Sequence, residues 1–388
     1  MARTLASIVE ISEVRPIEGA DRLELALMKG KGWKVVVQKG EFKVGDIAIY
    51  FEIDSFLDPN DERYTFLRDR CLRKFVSKGG GVLREGIKIK TIKLRGEYSQ
   101  GLLMPISKFP EITSRIKGLE VGLPDDNGEQ SVVVQPLIGA DVTKLLHVEH
   151  YDEVKEQLQP AMGNPIAADV MGDFPSALGP KSDEERIQNL GEWFETMKGR
   201  KWEITVKADG TSCTIAYAPS IDPENPCIVC SRNKRLKREN NKGVIPVYWK
   251  MAEKYHILDI LKEAYDKDGT EYMLQAEVVG PGIQADRNKE KEHTLLCFRI
   301  WFVKEQKWMN PKTVIDFCNL HRIPHVEVLE PEFLFFDKIT TMEEALKFAE
   351  GKTAAGNERE GIVCKTVDDG PYSSFKVVSN RYLLKQED

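Results

Sequence analysis

Apolar and polar positions alternate with a period of two over most of the first hundred residues. The runs "RLELALM", "WKVVVQ" and "IAIYFEI" are separated by turn signals at Gly30, Gly32, Gly40 and Gly45-Asp46. Short alternating strands at that spacing predict a small β-barrel. The opening "MARTLASIVEISEVR" alternates in the same way and carries Glu10 and Glu13, so it reads as a strand and not as a signal peptide. "KGGGVLREGIKIKTIKLRGEYSQGLLMP" reads as a flexible Gly-rich loop followed by a basic strand.

The pattern changes near residue 137. "HVEHYDEVKEQLQP" is polar and "AMGNPIAADVMGDFPSALGP" is rich in Pro, Gly and Ala, so residues from about 137 to 181 read as a linker. In "SDEERIQNLGEWFETMKGR", Ser182 stands three residues before Glu185, a capping-box pattern. Ile187, Leu190, Phe194 and Met197 follow at helical spacing, with Gly199 as a stop. In "KWEITVKADGTSCTI", Ile204 and Val206 alternate with Glu203, Thr205 and Lys207, and Ala208-Asp209-Gly210 is a turn signal. That stretch predicts a hairpin of half-buried strands with Lys207 at its lip. Helices are predicted over "PVYWKMAEKYHILDILKEAY", over "PKTVIDFCNLHR" with Pro311 at its start, and over "TMEEALKFAE" capped by Thr341 and Glu344. Strands are predicted over "EYMLQAEVV", "TLLCFRIWFV", "EGIVCKT" and "SSFKVVS". The mixture describes an α+β domain with helices flanking antiparallel sheets.

Composition narrows the class. The chain has 388 residues, 41% hydrophobic and 30% charged, which suits two or three soluble domains, and no apolar run approaches the length of a membrane span. Seven cysteines, an odd number spread over a long chain, predict reduced thiols and an intracellular, soluble, cytoplasmic protein. Cys227-Ile-Val-Cys230 has no second pair or histidine cluster near it and lies in an apolar run, so it reads as a strand and not as a zinc site. The histidines form no HExxH, which argues against a zinc hydrolase. The net charge of −6 argues against indiscriminate nucleic-acid binding, but basic residues are concentrated. Between Arg68 and Arg95 stand Arg70, Arg73, Lys74, Lys78, Arg84, Lys88, Lys90 and Lys93, with only Asp69 and Glu85 against them. A second cluster, "SRNKRLKREN", holds Arg232, Lys234, Arg235, Lys237 and Arg238. Local basic patches on an acidic protein fit a surface that follows a phosphate backbone.

Several charged residues interrupt strands: Glu277 in "MLQAEVVGPGIQ", Glu360 opening "EGIVCK", and Lys376 in "SFKVVS". Each alone is an edge-strand charge. Together, one lysine with Asp209, Glu277 and Glu360, and with Lys376 and Arg232 beside them, is what covalent nucleotidyl transfer needs. A lysine amine attacks only when neutral, so a depressed pKa is expected for Lys207, through desolvation or neighbouring cations. Attack on a nucleoside triphosphate also needs its phosphate charge offset by Mg²⁺ and basic side chains, and carboxylates can hold the waters of Mg²⁺.

On these residues the chain resembles the covalent nucleotidyltransferase superfamily of DNA ligases, RNA ligases and mRNA capping enzymes. "VKADGTS" resembles motif I, "CSRN" motif Ia, "QAEVVGPGIQ" motif III, "LLCFRIW" motif IIIa, "EGIVCK" motif IV and "SFKVVS" motif V, in that order over roughly residues 174–385. The early barrel, "GADRLELALMKGKGWKVVVQKGEFKVGDIAIYFEIDSFL" with "SQGLLMP", resembles the N-terminal OB domain of the Deinococcus/Naegleria type of ATP-dependent RNA ligase. The chain ends soon after Lys376, where DNA ligases and capping enzymes carry an OB domain.

The resemblance implies an N-terminal all-β OB barrel and a C-terminal α+β nucleotidyltransferase (ATP-grasp-like adenylation) domain with antiparallel sheets. Residues 1–150 would be the nucleic-acid-binding OB domain, with a linker to about 173, and residues 174–388 the adenylation domain. Lys207 would be the adenylated nucleophile, with Asp209, Glu277, Glu360 and Lys376 catalytic. ATP contacts are implied for Gly210, Arg232, Phe298 (stacked on adenine), Lys365 and Gln188. Asp209, Glu277 and Glu360 would hold Mg²⁺ or Mn²⁺ through waters. Val378 stands where many of these ligases carry a second motif V lysine, leaving Lys376 alone or Lys365 or Lys385 to serve. The implied activity is ATP-dependent RNA ligation through lysyl-AMP, joining 3′-OH and 5′-phosphate ends at nicks in RNA-containing duplexes, by a monomer with no membrane attachment. A DNA ligase, a capping guanylyltransferase and a non-catalytic nucleic-acid-binding protein are the alternatives.

Overall fold

A computed structural model describes residues 3–77, 80–113, 137–158, 167–181, 183–284, 290–353 and 356–386. The chain forms two compact units, Met1–Gln159 with Leu384–Asp388, and Pro160–Leu383. Among the described residues no helix is long and apolar enough to cross a membrane.

The first unit is built from β1 (Ala6–Pro16), β2 (Leu23–Met28), β3 (Lys34–Gln38), β4 (Ile47–Phe51), β5 (Ser55–Leu57), β6 (Leu72–Val76), β7 (Val82–Lys88), β8 (Thr91–Leu94), β9 (Glu97–Gln100), β10 (Leu102–Pro105) and β11 (Glu149–His150). A curled antiparallel sheet has the order β10-β4-β1-β2-β3, and a second has β11-β5-β7-β6. The long β1 serves two partners. Its first half pairs with β4 and its second with β2, with a register shift between Ile11 and Glu13. Such an irregularity increases local twist and turns a sheet toward a barrel. Ile8, Ile49, Phe51, Leu57, Ile87 and Phe109 fill the interior.

The predicted linker is structured at both ends. Residues Tyr151–Leu158 form a helix. Tyr151, Val154 and Leu158 pack on Phe56 and Phe75, so the helix belongs to the first unit. Val170–Asp173 forms a strand of the second unit, which therefore begins before residue 174. The polar composition was that of a helix with one apolar stripe.

The second unit contains β12 (Val170–Asp173), β13 (Glu185–Arg186), β14 (Trp202–Val206), β15 (Thr211–Tyr217), β16 (Cys227–Cys230), β17 (Lys234–Leu236), β18 (Tyr272–Val279), β19 (Thr294–Phe302), β20 (Lys307–Trp308), β21 (Val328–Phe333), β22 (Gly361–Thr366) and β23 (Ser374–Val378). They make a seven-stranded sheet, β12-β17-β16-β15-β18-β19-β20, and a five-stranded sheet, β13-β23-β22-β14-β21. Pairing is antiparallel except for β13 on β23. One face of the larger sheet, with Ile215, Leu274, Ala276, Cys297 and Ile300, packs on helices Val247–Lys254, Ile257–Asp268 and Pro311–His321. One face of the smaller sheet, with Trp202, Ile204, Ile362, Phe375 and Val377, packs on Phe335, Phe336, Ala345 and Ala349. Trp202 and Phe375 lie 5.0 Å apart centroid to centroid and Trp202 and Phe336 5.6 Å. Edge-to-face pairs of this kind add about 0.5–1.5 kcal/mol each beyond burial and hold β14 in place.

Three sequence expectations are corrected here. Strands β14 and β15 are not a hairpin: β14 pairs with β21 and β22, whereas β15 pairs with β16 and β18 in the other sheet. The 182–199 segment is not one helix. It holds β13, a 3-10 turn at Ile187–Asn189 and a short helix at Trp193–Thr196, while Ser182 lies outside the described residues. Glu185 accepts from the Arg186 N–H and from Asn189 Nδ2. The backbone at Glu185–Arg186 is committed to β23, so sheet pairing overrides the helical signal. The long predicted helix at residues 246–265 is also two, separated at His256 in the left-handed region (φ 52).

Candidate active site

Lys207 follows the last residue of β14, where its backbone N–H donates to the Gly361 carbonyl at 3.0 Å. The chain then crosses from the smaller sheet to the larger one. Gly210 makes the crossing possible: a Cβ there would stand 2.3 Å from the Val278 carbonyl oxygen and 2.8 Å from Glu277 Cγ. Any side chain at 210 would push the crossing away from β18 and from Glu277.

The Lys207 ammonium donates to Glu360 Oε1 at 2.6 Å, with both side chains largely buried. Glu360 directly precedes β22, and its carbonyl is held by the Ser379 N–H at 2.8 Å. Glu277 lies on β18, directly across from Ser212 of β15. Asp209 lies in the crossing, and its buried Oδ2 has no hydrogen-bond partner. These four residues therefore converge from both sheets.

Their electrostatics are strongly coupled. Burial pushes the Glu277 carboxyl up to about 8; Lys207 opposes this, while Glu360 and Asp209 add to it. Burial likewise raises Glu360 against the pull of Lys207. For Lys207 itself, burial disfavours the charged form, but Glu360, Glu277 and Asp209 outweigh it, and the ammonium is held above the usual lysine range. The expected depression of the lysine pKa is thus corrected: three carboxylates within one pocket win over desolvation.

Arg232 and Lys376 frame the cluster. Arg232 acts on Glu277 and Lys376 on Glu360. Both cations hold the same carboxylate, Asp183, at 3.0 Å and 3.1 Å. Gln188 is fully buried, and neither atom of its amide has a hydrogen-bond partner. Phe298 sits at a register slip in β19, where Gln275 pairs with Arg299 and Ala276 with Cys297. Cys297 and Ile300 face the helix-covered core, which leaves half-buried Phe298 on the opposite, cleft-facing side. Lys365 is not brought to the cluster. It is 2% exposed, and its ammonium donates to Glu203 Oε1 at 3.1 Å.

Three residues escaped the sequence reading. Asp183 binds two cations, Arg232 from the turn between β16 and β17 and Lys376 from β23. Glu184 pairs with Arg299, which also reaches Ser374 Oγ at 3.4 Å and lies 4.3 Å from the Trp308 ring, tying the two sheets together. The acidic "SDEER" run was the one signal for Asp183 and Glu184, and its pattern reads as a helix cap that the fold does not form.

The carboxylate set suits a hydrated divalent cation. Asp209 has an orphaned oxygen, and burial together with neighbouring carboxylates holds the Glu277 and Glu360 carboxyls above their usual range, so a nearby cation would relieve all three. Among the described residues no group of three His, Cys, Asp or Glu side chains is arranged to ligate a metal ion directly.

A largely buried lysine among carboxylates, with Arg232 and Lys376 beside it, set where two mainly antiparallel sheets meet, is the arrangement of the nucleotidyltransferase class. The RNA ligase family matches residues 200–378, and an OB-fold domain family matches residues 5–106. No curated protein matches the chain. Naegleria gruberi RNA ligase with pyrophosphate is 30% identical, with TM-score 0.77 over 100% of both chains. A lysine-to-alanine variant of that ligase with ATP and Mn gives 30% identity and TM-score 0.78 over 100% of this chain and 98% of that one. Its aspartate-to-alanine variant, apo, gives 30% and 0.76 over 100% and 99%. The chain belongs to the RNA ligase family.

Proposed function

We propose that this protein is an ATP-dependent ligase that joins a 3′-OH to a 5′-phosphate through a lysyl-AMP intermediate. The observation that carries the reading is Lys207 Nζ at 2.6 Å from Glu360, with Glu277 and Asp209 adjoining and Arg232 and Lys376 at the rim.

Lys207 Nζ gives up a proton, bonds to the α-phosphorus of ATP and releases pyrophosphate. Glu360 is the group placed to take that proton, because it already accepts from Nζ. Arg232 and Lys376 meet the phosphate oxygens, exchanging them for Asp183. Phe298 stacks on adenine, and Gln188 offers its unpaired amide to the nucleotide. A divalent cation, held through water on Asp209, Glu277 and Glu360, supplies positive charge that favours the neutral amine and offsets the phosphates. AMP then passes to the 5′-phosphate of the break, and the 3′-OH attacks that activated phosphate with release of AMP.

We read the substrate as a nick in a duplex with ribose on the 3′-OH side, sealed by a monomer. A-form duplexes expose 2′-hydroxyls in a shallow minor groove, where RNA is distinguished from DNA without reading sequence. The test uses α-labelled ATP, a divalent cation and a denaturing gel. Wild-type protein acquires label and Lys207→Ala and Lys207→Arg do not, since guanidinium stays protonated. Both variants still join a nick whose 5′ end is already adenylated. An adduct on Lys207→Ala sinks the assignment, an adduct from GTP instead of ATP favours capping chemistry, and an all-DNA nick sealed as fast as a ribose-ended one favours a DNA ligase.

A further inference from the structure

The N-terminal unit carries two candidate surfaces, and they differ in charge. Residues 6–46, which include β1 to β3, hold seven acidic and seven basic residues. Residues 72–88, from the start of β6 to the end of β7, hold five basic residues and one acidic one. The charge needed to follow a phosphate backbone therefore lies on the β6–β7 side.

The same hairpin has an unusual exposure pattern. Val82, Leu83 and Arg84 are consecutive and all exposed. A strand embedded in a sheet alternates, so three exposed residues in a row mean that this end stands clear of the body. Val76 and Val82 face each other across the hairpin, and the register slips between Phe75 and Val76, which leaves Leu83 as the extra residue. Val76, Val82 and Leu83 are 45%, 56% and 49% exposed. Lys74 and Arg84 lie on the two strands beside them, with Arg73 adjacent.

The base of the hairpin is rigid. Phe56, Phe75 and Tyr151 pack with centroids 5.5–5.8 Å apart. Gly86 admits the Phe56 ring, which a Cβ would meet at 2.3 Å. Lys74 and Arg84 are engaged by Glu85 and Glu149 in exposed pairs. Pairs of that kind are worth at most about 1 kcal/mol, so phosphates can replace their partners at little cost.

We propose that the β6–β7 hairpin is the duplex-gripping element of the N-terminal unit, lying with Val76, Val82 and Leu83 in the shallow minor groove of an A-form helix and Arg73, Lys74 and Arg84 on the flanking phosphates. This rests on the ligase reading above. The exposed apolar residues of the hairpin are aliphatic, and its aromatic rings are packed at the base. A single-strand clamp uses the reverse arrangement, with exposed rings on which bases stack. A wide, shallow groove lined by sugars accepts small aliphatic side chains.

The test uses the full chain and a nicked RNA duplex, with binding measured across salt concentrations and label transfer from ATP measured in parallel. Val82→Asp/Leu83→Asp weakens duplex binding by about 10-fold or more, and Arg73→Gln/Lys74→Gln/Arg84→Gln lowers the salt slope by about 1 per cation removed. Both variants keep wild-type label transfer, and an unfolding profile matching wild type shows that the N-terminal unit, which label transfer does not require, is folded in them. Unchanged duplex affinity and salt slope in both variants would overturn the proposal, as would an equal loss toward single-stranded RNA. Absence of label transfer in the wild type sinks the ligase reading instead, and is read separately.

Discussion

Lys365 and Lys376 lie on one face of one sheet, opposite Ser374 and Val363 respectively. Their surroundings divide their roles. Lys376 reaches Asp183 at the rim, whereas Lys365 is sealed against Glu203, itself 3% exposed. A buried pair broken on one side leaves a stranded charge. Lys365→Met should therefore destabilise the protein by about 3–5 kcal/mol in urea denaturation, and Lys365→Met/Glu203→Leu should recover most of that. The double variant should still form the ATP adduct, the outcome that separates a structural lysine from a nucleotide contact. Loss of the adduct with stability intact would return Lys365 to the ATP site. At this scale, Lys207, Glu277 and Glu360 were legible because each is a charge placed where strand patterning calls for none. Asp183 was not, because its bond to Lys376 spans 193 positions and nothing local announces it.

Elements were legible where a single period governs them. Strands β2, β3, β4, β18, β19, β22 and β23 lie where alternation or apolar runs put them, and Thr341 and Glu344 do form a capping box. Partners were not legible. All of β14 is buried, Glu203 and Thr205 included, so the alternation that suggested one wet face marks two different interiors. The helix at residues 151–158 was hidden by a polar composition whose apolar stripe is short. Strand β11 carries a comparable hidden feature. Arg3 meets His150 Nε2 at 3.3 Å, so a neutral ring accepts there and carries its proton on Nδ1, which is buried without a partner. Burial lowers the His150 pKa, and Arg3 adds to this against Asp152, Asp54 and Glu153. The unfolded chain takes up a proton below about pH 6.5 while the folded unit resists it. The resulting stability is present above that pH and is lost as pH falls toward the lowered folded value. Denaturation midpoints at pH 7.5 and 5.5 should show a smaller acid loss for His150→Gln than for wild type. An identical loss would remove His150 from the acid response.

At the scale of the molecule, the order of the two units and their classes were readable, because strand spacing changes to mixed α+β patterning along the chain. The boundary was not, since composition cannot tell a loose linker from a terminal helix and an edge strand. Every group assigned to adenylation lies within Pro160–Leu383. A chain starting at Pro160 should accept label from ATP and lose most nick sealing, and full sealing by that shortened chain at moderate salt would show that the N-terminal unit is dispensable. The crossing at Lys207–Gly210 has a further consequence. One end is fixed to the smaller sheet through the Gly361 carbonyl, and the other is wedged against Val278 of the larger. So short a strap has no slack, and it works as a caliper: the gap between the sheets and the reach of the amine are one variable. An error of about 1 Å in such a step can cost on the order of 100-fold in rate. Substitutions buried in either sheet's core, far from any nucleotide, can thus set the speed of the enzyme by setting the spacing of its jaws.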